Sequence, residues 1–293
     1  MILVTGATGS IGASLVRQLR DSGTAFRALV RDGSKGRALG CDFAVGDFDD
    51  PESIAVALDG VDRLFLNGSG VEPVGGKRAM VRRQTAVIDA AREAGVAHVV
   101  KVSVWHARQG ARLSQGAHGE IDAYLEASGP AWSLLRPAGF MQNFLAPGAY
   151  TPEGDLIGSY GDTPVSHIDC HDIAACAAAL LTGEAGRGEA FVLTGPEALT
   201  DAEVADRISA ALGRTVARAE LPPGALVAAM TAQGMPRRFA EDLAVLVGEV
   251  VSGSQSGVTA SVRELTGRPP RTVDDFLAAN LPALRAAAVP PVV

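Results

Sequence analysis

The sequence has no apolar run of membrane-spanning length, no internal repeat, no heptad pattern and no low-complexity tract. A bilayer span takes about 20 consecutive apolar residues, so neither a membrane anchor nor a membrane partner is expected. Cysteine is scarce: Cys41, Cys170 and Cys176 are odd in number and lack metal-ligand spacing. That argues against a disulfide framework or a bound metal and for reduced thiols in a cytoplasmic protein. Excess positive charge is lacking too, since 26 Lys and Arg stand against 33 Asp and Glu for a net charge of −7. Without a basic footprint, no nucleic-acid partner is expected. No basic segment precedes the first apolar run, so no cleaved leader is expected either. Tyrosine is rare, and none of the three has a lysine four positions on: Ser128 follows Tyr124, Gly154 follows Tyr150 and Pro164 follows Tyr160. What is present is 293 residues, 47% hydrophobic and 20% charged, enough to bury a large core in one domain with a smaller appended part.

The first twelve residues carry the strongest local pattern. Ile2, Leu3 and Val4 form a short strand, Thr5 to Ser10 are turn residues, and Ile11, Leu15, Val16 and Leu19 have helical spacing. Gly6 makes the tight turn, Gly9 lets backbone approach a phosphate, and Gly12 lets the helix pack closely on the strand. Thr8, Gly9, Ser10 and Ile11 then present backbone N–H groups to an anion, with the helix dipole adding attraction. This is a dinucleotide turn, and strand and helix patterns alternate after it.

The second strand, 25–30, ends at Arg31, where such folds read the adenosine ribose. A carboxylate there would bind the 2′-hydroxyl of NAD; Arg31 offers a fork for a 2′-phosphate, so NADPH is the expected cofactor. A solvated arginine at a strand end is the alternative. A third strand, 41–45, leads to Asp47 and Phe48, then a helix over 51–58 and a fourth strand over 62–66. Asn67, Gly68 and Ser69 follow, small enough for a ribose or phosphate to pass closely. A helix over 78–94 leads to a strand over 97–102 that ends at Ser103. Ligands gather at strand carboxyl ends, so Ser103 and the loop through Trp105 and His106 are expected to border the nicotinamide. Lys101 is expected to hold its amine in solvent.

Residues 166–173 introduce an alanine-rich helix to Leu181. His167, Asp169 and His171 raise the thought of a metal, but helix capping and strand pairing explain them better. A strand over 190–194 precedes a capping box, Thr200 to Glu203, that opens a helix to Leu212. Residues 216–221 are expected to return to the sheet, and helices over 223–232, 236–251 and 272–288 to cap the cofactor cleft, ahead of a frayed Pro290-Pro291 tail. The reading is α/β: residues 1–150 form a Rossmann-type, doubly wound parallel sheet that binds NAD(P). Residues 151–293 complete the sheet and form a smaller, mostly helical substrate-binding part.

Thr5-Gly-Ala-Thr-Gly-Ser-Ile-Gly12 resembles the extended and atypical short-chain dehydrogenase/reductases. His118-Gly-Glu-Ile-Asp122 and the segment Trp132 to Phe144, with Arg136-Pro137, Phe140 and Asn143, are similar to their NmrA-like branch. That branch includes type 2 quinone oxidoreductases, triphenylmethane reductase and NADP-sensing regulators. The resemblance covers residues 1–195. It implies that Asp47, beside Phe48, holds the adenine amino group, that a His or Lys belongs at position 118, that Asp172 caps its helix, and that Phe140 and Asn143 line the substrate side. The chain departs from the tyrosine-dependent members in lacking Tyr-x-x-x-Lys.

His118, after a turn at Gly116 near a helix start, either bonds a ribose hydroxyl or substrate oxygen and titrates near neutrality, or is a capping or exposed histidine. Pro137 to Gly139 suits placing backbone groups near the nicotinamide amide. Trp105, Phe140, Asn143 and Phe144 would meet a flat substrate, with simple core packing as the alternative for Phe140, Met141 and Phe144. The expected activity is NADPH-dependent reduction of a quinone or aromatic (polycyclic) ketone by a monomer or homodimer. Ser103 and His118 are the catalytic candidates, and the partner is a small aromatic molecule. A regulator that senses NADP(H) without turnover is the alternative; a cofactor-retaining isomerase fits less well without a Tyr-Lys pair.

Overall fold

A computed structural model describes residues 1–70, 72–73, 76–146, 148–220 and 224–288. The elements begin β1 (Ile2–Val4), α1 (Ser10–Asp21), β2 (Phe26–Val30), α2 (Gly33–Ala38), β3 (Phe43–Val45), α3 (Pro51–Ala57), β4 (Arg63–Leu66) and α4 (Gly76–Glu93). They continue with β5 (His98–Val102), α5 (Leu113–Glu126), β6 (Ala131–Pro137), β7 (Leu156–Gly158), α6 (Cys170–Thr182), β8 (Glu189–Leu193) and α7 (Asp201–Leu212). Last come β9 (Arg218–Glu220), α8 (Ala225–Ala232), α9 (Arg237–Glu249), α10 (Ser261–Thr266), α11 (Val273–Ala279) and α12 (Leu281–Ala288).

The chain divides into two compact units that interleave along the sequence: the first takes residues 1–137, 170–193 and 264–267, the second the rest. In the first unit seven strands form one sheet in the order β3-β2-β1-β4-β5-β6-β8, all neighbours parallel. The crossover direction reverses between β1 and β4, the switch point at which such sheets bind ligands. Apolar side chains of α3, α4 and α5 bury one sheet face around Leu3, Leu64, Leu66, Val99 and Leu134. Helices α1 and α6 pack on each other. Both faces of the central strands are thus covered, which is why β5 is buried along its whole length.

In the second unit β7 and β9 form a separate two-stranded parallel sheet. Residues 218–220 therefore do not return to the main sheet; they pair Ala219 with Ile157. The core joins Phe144, Tyr150 and Leu156 to α7, α11 and α12 through Ile208, Phe276 and Leu284. The Thr200–Glu203 capping box forms as expected. The helix read over 272–288 is two, divided at Asn280, because Pro282 fits only a first turn. The helix read from 236 ends at Glu249 and passes into a π turn that Gly253 leaves at φ 90°. Leu221, Pro223 and the Pro290-Pro291 tail lie outside the described residues, among which no helix is long and apolar enough to cross a membrane.

Candidate cofactor and active site

The glycine turn closes against the switch point. Gly6 sits at φ 61°, and a Cβ on it would lie 2.7 Å from the Asn67 carbonyl oxygen, so only glycine lets β1 and β4 end side by side. A Cβ on Gly12 would lie 2.1 Å from the Gly6 oxygen, which explains the close helix–strand contact. Thr5, fully buried, locks the pair: its hydroxyl accepts the Asn67 N–H at 2.8 Å. Helix α1 starts at Gly9 with no side-chain cap and no acidic residue in its first turn. Its first N–H groups are left to an anion, where Gly9 and Ser10 are exposed and Ile11 faces the core.

A cavity of about 270 Å³ opens beside this turn, lined by Gly6, Thr8, Arg31, Asp47, Phe48, Asn67, Gly68 and Ser69. Eight of the residues assigned to the cofactor from sequence thus share one cleft. Asp32, the residue after Arg31, is bound into the α2 cap, accepting the N–H and hydroxyl of Ser34 at 2.8 and 2.7 Å. That bonding holds its carboxyl below the usual carboxylate range. Arg31 is exposed at the cleft edge, and Lys35 and Arg37 lie on α2. Sequence reasoning did not assign Arg83 to the cleft; there it bridges Asp49 at 2.8 Å and Glu72 at 2.9 Å.

At the carboxyl end of β5 the structure corrects the expectation for Lys101. Its side chain is 0% exposed, and its amine donates to Asp122 Oδ1 and His118 Nδ1, each at 2.9 Å, and to the Val102 oxygen at 3.3 Å. The physical reason is the central position of β5, which leaves the amine no route to solvent between α4 and α5. Ser103 donates to Asp122 Oδ2 at 2.7 Å and Arg136 reaches the same oxygen at 3.2 Å. Five polar side chains thereby converge, of which sequence reading had named only Ser103 and His118 as catalytic candidates. His118 and Asp122 are four apart on one face of α5, the spacing that Tyr and Lys hold in the tyrosine-dependent enzymes.

His118 is also placed differently than expected. Helix α5 begins at Leu113, so Gly116 is not a turn but a helical glycine whose Cβ would meet the Ala111 oxygen at 1.9 Å. Gly119 does the same against Arg108, and together they let the loop before α5 lie on its buried face. His118 is 9% exposed, and burial, with the Lys101 charge adding to it, holds its pKa well below the ordinary value. It does not titrate near neutrality. Burial also pushes the Lys101 amine down, with Asp122 opposing. An ammonium has only donors, so His118 Nδ1 accepts and the ring proton stands on Nε2, for which no described residue is a partner.

Trp105, half-buried, stacks on His106 with ring centroids 5.1 Å apart, and its backbone N–H donates to the Pro137 oxygen at 3.1 Å. Tyr124 lies on the outer side of α5, 38% exposed, with its hydroxyl on the Asp89 carboxylate at 2.8 Å. Helix α6 begins at Cys170, so Asp172 lies inside its first turn and not ahead of it. In the second unit, the Gly139 N–H is taken by Gln255 Oε1 at 3.0 Å. Phe144 is buried in the core with its ring 4.9 Å from that of His167; Phe140 is half-buried and Asn143 exposed.

The family model of the NmrA-like family matches residues 1–277, well past the 195 residues over which the motifs carried the resemblance. The chain is 38% identical over 292 residues to the NAD(P)H azoreductase of Xenophilus azovorans, covering 98% of this chain and 100% of that one. It is 30% identical over 282 residues to quinone oxidoreductase 2 of Escherichia coli, covering 93% and 96%. The crystal structure of the Escherichia coli NADPH-dependent quinone oxidoreductase complexed with NADPH superposes with TM-score 0.82 at 28% identity, over 96% of this chain and 100% of that one. This chain belongs to the NmrA-like family. Within it, the chain is an NAD(P)H-dependent oxidoreductase, and it is the structure of the Escherichia coli neighbour that holds NADPH.

Proposed function

We propose that this chain reduces a quinone or an aromatic, polycyclic ketone without a tyrosine acid. The observation that carries this reading is the Lys101–His118–Asp122–Ser103 cluster at the carboxyl end of β5, the position and helical spacing of the missing Tyr-Lys pair. The residues of the cleft fit the cofactor: the glycine turn and uncapped α1 take a pyrophosphate, Arg31 a 2′-phosphate, and Asp47 the adenine amino group. NADPH, when bound, supplies the hydride. The protein orients and excludes water. His118, neutral and fixed as the Nε2–H tautomer by Lys101, donates one hydrogen bond to a substrate oxygen or ribose hydroxyl. The hydroxyl proton of Ser103 is committed to Asp122, so what Ser103 offers is lone pairs.

None of these groups is a strong proton donor at neutral pH. A positioned acid contributes about a hundred- to ten-thousandfold, so a site without one favours carbonyls that are already activated. Quinones, and ketones hydrogen-bonded to a neighbouring phenol, meet that condition. The relatives named for azo compounds and quinones act on conjugated acceptors of the same kind. The test is oxidation of NADPH, followed by absorbance, against a panel of quinones and polycyclic ketones. Turnover with the activated members and none with simple aliphatic ketones is expected. Tight NADPH binding with no turnover across the panel would overturn the reading in favour of a sensor.

A further inference from the structure

The end of the cofactor cleft beside Asp47 and Phe48 is spanned by one guanidinium. Arg83 stands on α4 next to Gln84, and a Cβ on Gly68 would lie 3.2 Å from the Gln84 amide nitrogen, so the helix is pressed against the loop after β4. From there Arg83 lines the cleft, donating through Nε to Asp49 Oδ2 at 2.8 Å and through Nη1 to Glu72 Oε1 at 2.9 Å. Asp49 belongs to the loop between β3 and α3 and Glu72 to the loop between β4 and α4, and both line the cleft. A single side chain thus ties its two rims together. The carboxylates are 41% and 48% exposed, and exposed ion pairs add little to fold stability; what the bridge fixes is the plane of the guanidinium. Its Nη2 donors have no partner among the described residues.

The two arginines of the cleft therefore differ in what they can recognise. Arg31 has no ion pair among the described residues and keeps its charge for a phosphate. The charge of Arg83 is offset by two carboxylates, which leave it a planar face and a free donor edge, features that suit a neutral heteroaromatic base. We infer that Arg83, pinned by Asp49 and Glu72, holds the adenine base of the cofactor without regard to the 2′-phosphate. The inference rests on the assignment of this cleft to NADPH.

The test is equilibrium titration of the full chain with NADPH and, separately, with NADH, followed by nucleotide fluorescence. Arg83→Leu should weaken both by the same factor, about three- to tenfold, and leave their ratio as in the parent, whereas Arg31→Ala changes the ratio. Arg83→Lys keeps the charge but neither the plane nor the double bridge, and should lose nearly as much; it decides the matter if Arg83→Leu fails to fold. Arg82→Ala removes the other partner of Asp49, a side chain outside the cleft lining, and should leave both affinities unchanged. Parent affinities in a folded Arg83→Leu chain or in Arg83→Lys, a loss confined to NADPH, or an equal loss in Arg82→Ala would overturn the inference. A parent chain that binds neither nucleotide would overturn the assignment of the cleft, and this inference with it.

Discussion

Replacing Lys101 with methionine separates the buried cluster from the solvated lysine that its sequence position suggests. Methionine keeps most of the volume and removes the charge. Asp122, whose side chain is 3% exposed, then loses its partner at 2.9 Å, and His118 loses the donor at Nδ1. Removing one member of a buried ion pair costs about 3–5 kcal/mol, because the other charge stays buried. Ser103 at 2.7 Å and Arg136 at 3.2 Å still bond the carboxylate, which puts the expected loss near the lower end, about 3 kcal/mol. Equilibrium urea unfolding of the single variant, of Asp122→Leu and of the double variant measures this. The double-mutant cycle should show a coupling above about 1.5 kcal/mol. A Lys101→Met chain within about 0.5 kcal/mol of the parent, as for a surface lysine, would refute the reasoning.

Arg31→Ala should remove most of the preference for NADPH over NADH, since a charge-assisted contact is worth roughly 1.5–3 kcal/mol, about ten- to a hundredfold in affinity; equal affinities in the parent chain would sink the assignment. Gly12→Ala should abolish cofactor binding, because its Cβ would lie 2.1 Å from the Gly6 oxygen; normal NADPH affinity in that variant would contradict the packing. Burial, with Arg187 and Arg63 adding to it, lowers His98 from 6.5 to about 4, and burial alone lowers His167 to about 4. Both folded values are depressed, so below pH 6.5 the unfolded chain takes up protons first and stability falls from there down to about pH 4. The loss is on the order of 3 kcal/mol for each ring. Ring signals of either histidine titrating near 6.5 by NMR would contradict this.

The local signals were legible. The Gly6, Gly9 and Gly12 spacing, the strand end at Arg31 and the Thr200–Glu203 capping box act over a few residues, so their physics is written in adjacent letters. Lys101 was misread because its partners are 17 and 21 positions away on α5, across a sheet-to-helix contact. A signal existed: a lone charge within Val99-Val100-Lys101-Val102 on a strand flanked by two others must be paired, and His118 and Asp122 share the facing side of a helix. The pairing of β7 with β9 left no such trace, since strands of three residues carry little periodicity. The break between α11 and α12 could have been found from Pro282 alone.

The central claim, NADPH-dependent reduction of an activated carbonyl with no tyrosine acid, is tested most directly by quinone reduction in Tyr124→Phe, Tyr150→Phe, Tyr160→Phe and His118→Ala chains. Each tyrosine variant is expected to keep the parent rate within about threefold, and His118→Ala to lose tenfold or less, the size of an orienting contact. A loss of a thousandfold in any tyrosine variant that still binds NADPH, or no turnover at all by the NADPH-bound parent, would contradict it.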